Sequence, residues 1–234
     1  MPIADHEFEA IVALSMFENV GPDRLKRLTD AGFLQTFPRH TVLFGQGDNP
    51  DFLHVLIEGS VALFAHTGDD NRTSTMEVVE PVDTFILAAA VTGMPYLMGA
   101  RVLARSRILM VPSDVLRQII HEDNDLAVAM MLALARQFRV MVRQVKNLKL
   151  RTSVQRTGSY LLLLSETEGV KKRFQLPYDK RTLAGRLGMT PENLSRAFGT
   201  LKQYGVTISG QTVSIEDPDL FRDAFALDRL LDSE

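Results

Sequence analysis

The stretch Asp179–Tyr204, DKRTLAGRLGMTPENLSRAFGTLKQY, decides how the rest of the chain reads. Its first half places Thr182, Leu183, Ala184, Arg186 and Leu187 on one predicted helix. Gly188 follows Ala184 by four residues. A small Ala lets two helices cross closely, and a Gly permits a positive φ in the tight turn between them. Thr190 can cap a second helix, Pro191 suits its first position and Glu192 its first turn. Leu194, Phe198 and Leu201 then face inward. Glu192, Ser195 and Arg196 are left together on the opposite face, because residues three and four apart share one side of a helix. Each of the three suits base reading. Arg donates two hydrogen bonds to guanine O6 and N7, Glu accepts from cytosine N4, and Ser contacts several base edges. They lie in the N-terminal part of the helix, the part that enters a major groove in helix-turn-helix docking. Thr190, Lys180 and Arg181 complete the candidate DNA-contacting set. The competing reading is a helical hairpin with a solvated polar face.

Outward from this stretch, Val206-Thr207-Ile208 and Thr212-Val213-Ser214-Ile215 flank Ser209-Gly210-Gln211, a hairpin signal that makes the motif winged. Charge is distributed to match. Lys149 to Gly210 holds 11 Lys or Arg against 4 Asp or Glu, whereas the whole chain is at −3 and both flanks are acidic. A basic module is the footprint that phosphate binding leaves.

Upstream, Asn124 to Leu148 carries Ala127, Met131, Leu134, Phe138, Met141, Val145 and Leu148. The spacing alternates four and three, a heptad stripe that wants a partner helix. Met131, Leu134, Phe138, Met141, Val145 and Leu148 form the expected dimer seam; the alternative is a helix packed on its own domain. The outer face carries Arg136, Arg139, Arg143 and Lys146. Another helix is expected from Leu150 to about Ser165, and Phe174 to Pro177 reads as extended.

The first thirty residues read as two short helices around Gly21-Pro22, with Phe8, Ile11, Val12, Leu14, Leu25 and Leu28 apolar. From Leu34 to about Met110, strand-like runs alternate with turn signals. The runs are Thr41–Phe44, Phe52–Ile57, Ser60–Ala65, Thr75–Val79 and Arg107–Val111. The turns are Gly45–Pro50, Glu58-Gly59 and Thr67–Asn71. This is the pattern of an antiparallel roll or barrel. Ser113 is placed to cap a helix containing Val115, Leu116, Ile119 and Ile120.

The expected architecture is α+β. A sensor β-roll with flanking helices spans 1–123, a dimerisation helix 124–148, and a winged helix-turn-helix with an acidic tail 149–234. Length and an ordinary 45% apolar composition suit two modest domains. No apolar run approaches a membrane span. Met1–Glu7 is acidic and lacks the features of a signal peptide, so the expected location is the cytoplasm. There are no cysteines, which rules out disulfides, thiolate zinc sites, cysteine-ligated iron–sulfur clusters and a cysteine nucleophile. No P-loop, GxSxG, HExxH or paired-carboxylate constellation appears, which argues against an enzyme. A protein-interaction module built on the heptad helix and lacking DNA binding is the other class, and the basic C-terminal module argues against it.

With this order of parts the chain, from about Met16 to Ile215, resembles the CRP/FNR superfamily of transcription regulators. GQGDNPDFLHVLIEGSVALF (Gly45–Phe64) resembles that family's cyclic-nucleotide-binding-type β-roll, and the heptad helix resembles its dimerisation helix. ENLSR resembles the E-x-x-S-R recognition pattern of the FNR-like branch, carried here by Glu192, Ser195 and Arg196. The resemblance implies a homodimer, an inverted repeat of TTGAT-like half-sites on double-stranded DNA, and RNA polymerase as a further partner. Pro191 stands where the catabolite activator has an additional Arg, again as in the FNR-like branch.

The sensor departs from the cyclic-AMP receptors. Their phosphate cassette has a Gly-Glu and a later Arg-Ser or Arg-Thr. Here the stretch runs from Phe85 to Arg101, the Gly-Glu is absent, Met98 and Gly99 replace the charged step, and Arg101 falls out of register. This argues against a cyclic nucleotide. Phe85, Ile86, Leu87, Val91, Met94, Tyr96, Leu97 and Met98, with Arg101, are the candidate effector pocket. The run resembles the denitrification-type, nitric-oxide-responsive regulators, which implies haem as a candidate cofactor. His6, His40, His54, His66 and His121 are the candidate axial ligands, and spacing singles out none. Pro2 is a further candidate, because the haem-based carbon monoxide sensor of the superfamily ligates iron through an N-terminal proline. A packed core with no ligand is the plain alternative.

Overall fold

Leu53, Val55, Leu56, Ile57, Val61, Leu63 and Phe64, all on one strand, are buried. Two-sided burial marks a central strand rather than an edge. The computed structural model describes residues 5–14, 17, 20–67, 72–167, 172–228 and 230–232, and the chain forms two compact units, Met1–Gln137 and Phe138–Glu234.

In the first unit, α1 (Asp5–Val12) and α2 (Pro22–Asp30) precede a six-stranded antiparallel sheet. Its strands are β1 (Phe33–Phe37), β2 (Val42–Phe44), β3 (Phe52–Thr67), β4 (Arg72–Val79), β5 (Asp83–Phe85) and β6 (Gly99–Pro112), with α3 (Leu87–Thr92) between the last two. The pairing order is β1-β6-β3-β4, with β2 on β6 and β5 on β3. Then come α4 (Ser113–Glu122) and α5 (Asn124–Leu150).

The Glu58-Gly59 turn expected from sequence is instead a bulge inside β3. Two short strands were expected where one strand of 16 residues runs. Gly59 takes φ 94°, and a Cβ there would stand 2.5 Å from the Arg105 carbonyl. The pairing of β3 with β6 shifts between Leu56 and Val61. The consequence is a change of face. Before the bulge Leu53, Val55 and Ile57 point to the helical layer and Leu56 into the roll; after it Val61 and Leu63 point into the roll. A bulge alters side-chain alternation in this way, because the period of a strand is two. Ser106 holds the bulge: its Oγ accepts from the Ser60 N–H at 3.1 Å and donates to the Ala104 carbonyl at 2.7 Å.

Two further expectations need correction. β6 begins at Gly99 rather than Arg107, so Arg101 is a strand residue paired with Val42 and Ala62. Ser113 does not cap α4. Pro112 is the N-cap residue, and the Ser113 hydroxyl is buried without a hydrogen-bond partner among the described residues. The Thr67–Asn71 turn lies mostly outside the described residues, although Thr67 and Arg72 pair at its base.

Two cores fill the first unit. One joins α1, α2, α4 and the first half of α5 to one sheet face, through residues such as Ile11, Leu25, Leu109, Leu116, Leu126 and Met130. The ion pair of the buried Glu7 with Arg107, at 2.7 Å, ties α1 to β6. The other lies inside the roll and is aromatic. His54 is buried there beside Phe44 and Phe85, each ring centroid 5.1 Å from its own, and Phe44 stacks on Tyr96 at 3.9 Å. Burial drives the His54 imidazole down from its ordinary 6.5 to about 4, against a smaller upward pull from the Phe52 carbonyl.

In the second unit the end of α5 leads to α6 (Ser153–Thr167), β7 (Arg173–Gln175), α7 (Lys180–Arg186), α8 (Pro191–Leu201), the hairpin β8 (Val206–Ser209) and β9 (Thr212–Ile215), and α9 (Pro218–Ala224). β7 pairs with β9 to make a three-stranded antiparallel sheet. The tail expected to be only acidic is part of the fold. Asp217 caps α9, Pro218 starts it, and Phe221 and Phe225 enter the core, where Gly158 leaves room for the Phe225 ring. Arg151 grips Asp232 with two parallel bonds of 2.6 and 2.7 Å.

Two outcomes follow for the first unit. Gly59→Ala must place a Cβ against the β6 backbone at a positive φ, so thermal and urea unfolding should show a loss of at least about 2 kcal/mol. His54 is neutral when folded and accepts a proton near 6.5 when unfolded, so its contribution is complete above that pH and is lost as pH falls toward about 4. Over that window the first unit should lose about 3 kcal/mol to this group. His54→Phe should flatten that part of a pH-stability curve, and an unchanged acid limb would refute the assignment.

Candidate nucleic-acid interface

The helix-turn-helix forms as its residues dictate. Asp179 caps α7, accepting from the Thr182 N–H at 2.9 Å. Leu183, Ala184 and Leu187 are buried against α8 and α6. Gly188 takes φ 63° in the turn, and a Cβ there would run into Leu148 at the end of α5. The Met189 N–H donates to the Ala184 carbonyl at 2.9 Å to close the turn. Arg156 of α6 braces it, donating to the Leu187 carbonyl at 2.9 Å and to the Arg151 carbonyl at 2.7 Å. Thr190 caps α8, its hydroxyl accepting from the Asn193 N–H at 3.3 Å, with Pro191 at the first helical position.

α8 buries Leu194, Ala197, Phe198 and Leu201 and exposes Glu192, Ser195 and Arg196. The three expected reading residues are therefore brought together on one exposed face. Lys180 and Arg181 are exposed at the start of α7, and the Lys180 ammonium lies 5.9 Å from the centre of the Phe198 ring. Thr190 is exposed, but its hydroxyl is engaged as the cap. Sequence reasoning missed Asn193, whose Oδ1 accepts from Arg196 Nη2 at 2.5 Å. The signal was available, because residues three apart on a helix are neighbours. Arg186 is exposed too, but its guanidinium lies 5.7 and 5.4 Å from the Tyr160 and Tyr178 ring centres and donates to the Tyr178 hydroxyl. The wing is a tight hairpin with Gly210 at φ 62° and an exposed tip.

The apolar stripe of α5 is split. Leu126, Ala129, Met130 and Ala133 are buried on the first unit's core, and Leu134 packs against it. Met131, Phe138, Met141, Val145 and Leu148 are exposed, Phe138 by 65%.

The residues expected to line an effector pocket do not share one cavity wall. Phe85 and Tyr96 are buried in the roll core, with Ile86 and Met98 packed against it. Leu87 belongs to the other core, and Met94 and Leu97 are exposed, Leu97 by 83%. The Arg101 guanidinium sits 5.2 Å from the Phe64 ring centre. Of the five histidines, His6, His40, His66 and His121 are exposed. His54 is buried with an unpartnered Nδ1, and it packs beside the Phe44 and Phe85 rings. Among the described residues His66 meets the Phe64 ring edge-on, and the arrangement singles out no histidine as an axial ligand. Pro2 lies outside the described residues. No group of three or more His, Asp or Glu able to hold a metal ion occurs among the described residues, and no described helix is long and apolar enough to cross a membrane.

Comparison with known proteins agrees with this layout. Residues 34–123 match the cyclic nucleotide-binding domain and residues 155–224 the Crp-like helix-turn-helix domain. The nitrogen fixation regulation protein FixK of Azorhizobium caulinodans is 28% identical over 204 residues, covering 83% of this chain and 77% of that protein. A CRP-like cAMP-activated global transcriptional regulator of Mycobacterium tuberculosis is 22% identical over 216 residues, covering 90% of this chain and 96% of that one. Among solved structures, a candidate cyclic nucleotide-binding protein of Ruegeria pomeroyi is 29% identical, with a TM-score of 0.64 and coverage of 96% of this chain and all of that one. Both matched domains and both curated relatives are those of regulators rather than enzymes. A sensor-type β-domain, a long helix and a Crp-like helix-turn-helix in this order identify the chain as a member of the CRP/FNR family of DNA-binding transcription regulators.

Proposed function

We propose that the chain acts as a homodimer that reads an inverted repeat through Glu192, Ser195 and Arg196, under the control of an effector taken up by the β-roll. The organisation is a sensor at 1–123, a dimerisation helix at 124–148 and a DNA-reading module at 149–234, with RNA polymerase as the partner on DNA. The observation that carries this reading is the exposed face of α8, where two hydrogen-bonding groups and a guanidinium project from a helix whose other side is buried.

The dimer reading rests on Met131, Phe138, Met141, Val145 and Leu148, a row of large apolar side chains that a single chain leaves open. An exposed apolar stripe at heptad spacing is stabilised by a second helix like itself. Twofold pairing then sets two α8 helices about 34 Å apart, one turn of the duplex. An effector can alter DNA binding only by its different affinity for the two arrangements of such a dimer.

The effector proposed is not cyclic AMP. Arg101 is the cation of the Phe85–Arg101 segment, and it is engaged over Phe64 within a strand, with no Gly-Glu beside it. The nitric-oxide-responsive branch remains the nearer reading from the Phe85–Arg101 run, without haem as an argued component. A second reading, a cyclic-nucleotide-responsive regulator, is favoured by the match of residues 34–123 and by the cAMP-activated relative. A thermal-shift series with cyclic AMP decides between them: no shift is expected, and a saturable rise in Tm would establish the second reading.

Two substitutions test the rest. Arg196→Ala should weaken binding to a TTGAT-type inverted repeat by about 1–3 kcal/mol and relax specificity at one base pair, while Arg181→Ala should weaken all duplexes alike and lower the salt slope by about 1. Unchanged affinity for the Arg196 variant would mean that the reading face is misplaced. Phe138→Glu combined with Met141→Glu should yield a monomer by sedimentation with the helical signal retained, and a variant that stayed dimeric would refute the seam.

A further inference from the structure

Gly199 sits in the third turn of α8, exposed. Glycine inside a helix costs stability relative to alanine, and it normally has a packing or conformational reason. The structure offers neither here. Gly21, Gly47, Gly199 and Gly210 are described glycines at which an added Cβ would meet nothing within 4 Å. Gly47 and Gly210 have positive φ, and Gly21 is the N-cap of α2. Gly199 alone among these four lies in a helix interior, with no positive φ. Nothing among the described residues accounts for the missing side chain.

Its position supplies an external reason. Gly199 follows Glu192, Ser195 and Arg196 by seven, four and three residues, so it falls on the same face. It lies about 10 Å along the helix from Glu192 at 1.5 Å per residue. Lys202, exposed, stands three residues further along that face. A helix with its side chains is about 10–12 Å across, and the major groove is about 12 Å wide, so a seated helix has almost no lateral clearance. As the helix runs out of the groove, its C-terminal turns meet a sugar–phosphate strand rather than base edges. We propose that Gly199 is the point of closest approach of α8 to that strand. The missing Cβ lets the helix seat deeply enough for Glu192, Ser195 and Arg196 to reach the bases, and Lys202 flanks the same phosphates. Gly199 is thus a positioning residue for DNA reading, and this inference rests on the proposed reading face.

The test exploits opposite signs. A duplex is selected from a random pool at low salt with the unaltered full-length chain. Gly199→Ala, Gly199→Leu and Arg196→Ala are then measured on that duplex by fluorescence anisotropy and in thermal melts. Gly199→Ala is expected to raise Tm by a few degrees, since it restores helix propensity, and yet to weaken specific binding about tenfold or more, with Gly199→Leu weaker still. Gly199→Ala with a raised Tm and unchanged affinity would overturn the proposal, and so would a lowered Tm, which would give Gly199 a packing role instead. If Arg196→Ala also leaves binding intact, or the unaltered chain retains no duplex, the reading face itself fails. If Arg196→Ala weakens binding and Gly199→Ala does not, only this inference fails.

Discussion

Everything the second unit does depends on the burial of one side of α8. Leu194, Ala197, Phe198 and Leu201 are inaccessible to solvent or nearly so, and burying apolar area of this kind stabilises by about 25 cal/mol per Å². A helix turns 3.6 residues per cycle, so fixing that side fixes what the other side presents. Glu192, Ser195 and Arg196 are outward because these four residues are inward. The cap at Thr190, the glycine at 188 and the brace from Arg156 set where the helix starts and how it meets α7. They add little area but determine the direction in which the polar face points.

The first unit solves a different problem with a similar device. A single long strand must serve both the helical layer and the interior of the roll. Gly59 makes that switch by changing which residues of β3 face which layer, and Ser106 satisfies backbone groups that the bulge displaces. The interior is closed by stacked rings around a neutral His54. A buried imidazole costs less when neutral than when charged, which is why its protonation and the integrity of the roll are coupled.

Legibility in the sequence followed the range of the interaction. The helix-turn-helix is made of local signals: caps, a turn glycine and spacings within a few residues. Its two helices and the hairpin stand where those signals put them. The long helix was equally plain as a period, but the heptad pattern alone did not reveal that Leu134 packs on the sensor core while Phe138 and Met141 are exposed. The roll was legible as a class and not in detail. Gly59 reads locally as a turn, and only the approach of β6 turns it into a bulge. The start of β6 at Gly99 was hidden because its partners, Val42, Ala62 and Phe64, are distant in sequence. The tail reads as acidic because its 7 acids outnumber its 2 bases, yet Phe221 and Phe225, one helical turn apart, anchor it. The expected pocket dispersed for the same reason: Phe85, Leu87 and Leu97 are close in sequence but point to different environments.

The central claim is that a pair of α8 faces reads base edges in two successive major grooves. Guanine N7 methylation interference on the selected duplex tests it most directly, because N7 is the atom that a bidentate Arg needs. Two symmetry-related guanines whose methylation blocks binding are expected, spaced by about one helical turn, with both effects absent in Arg196→Ala. Interference at no guanine, or at one unpaired position, would contradict it.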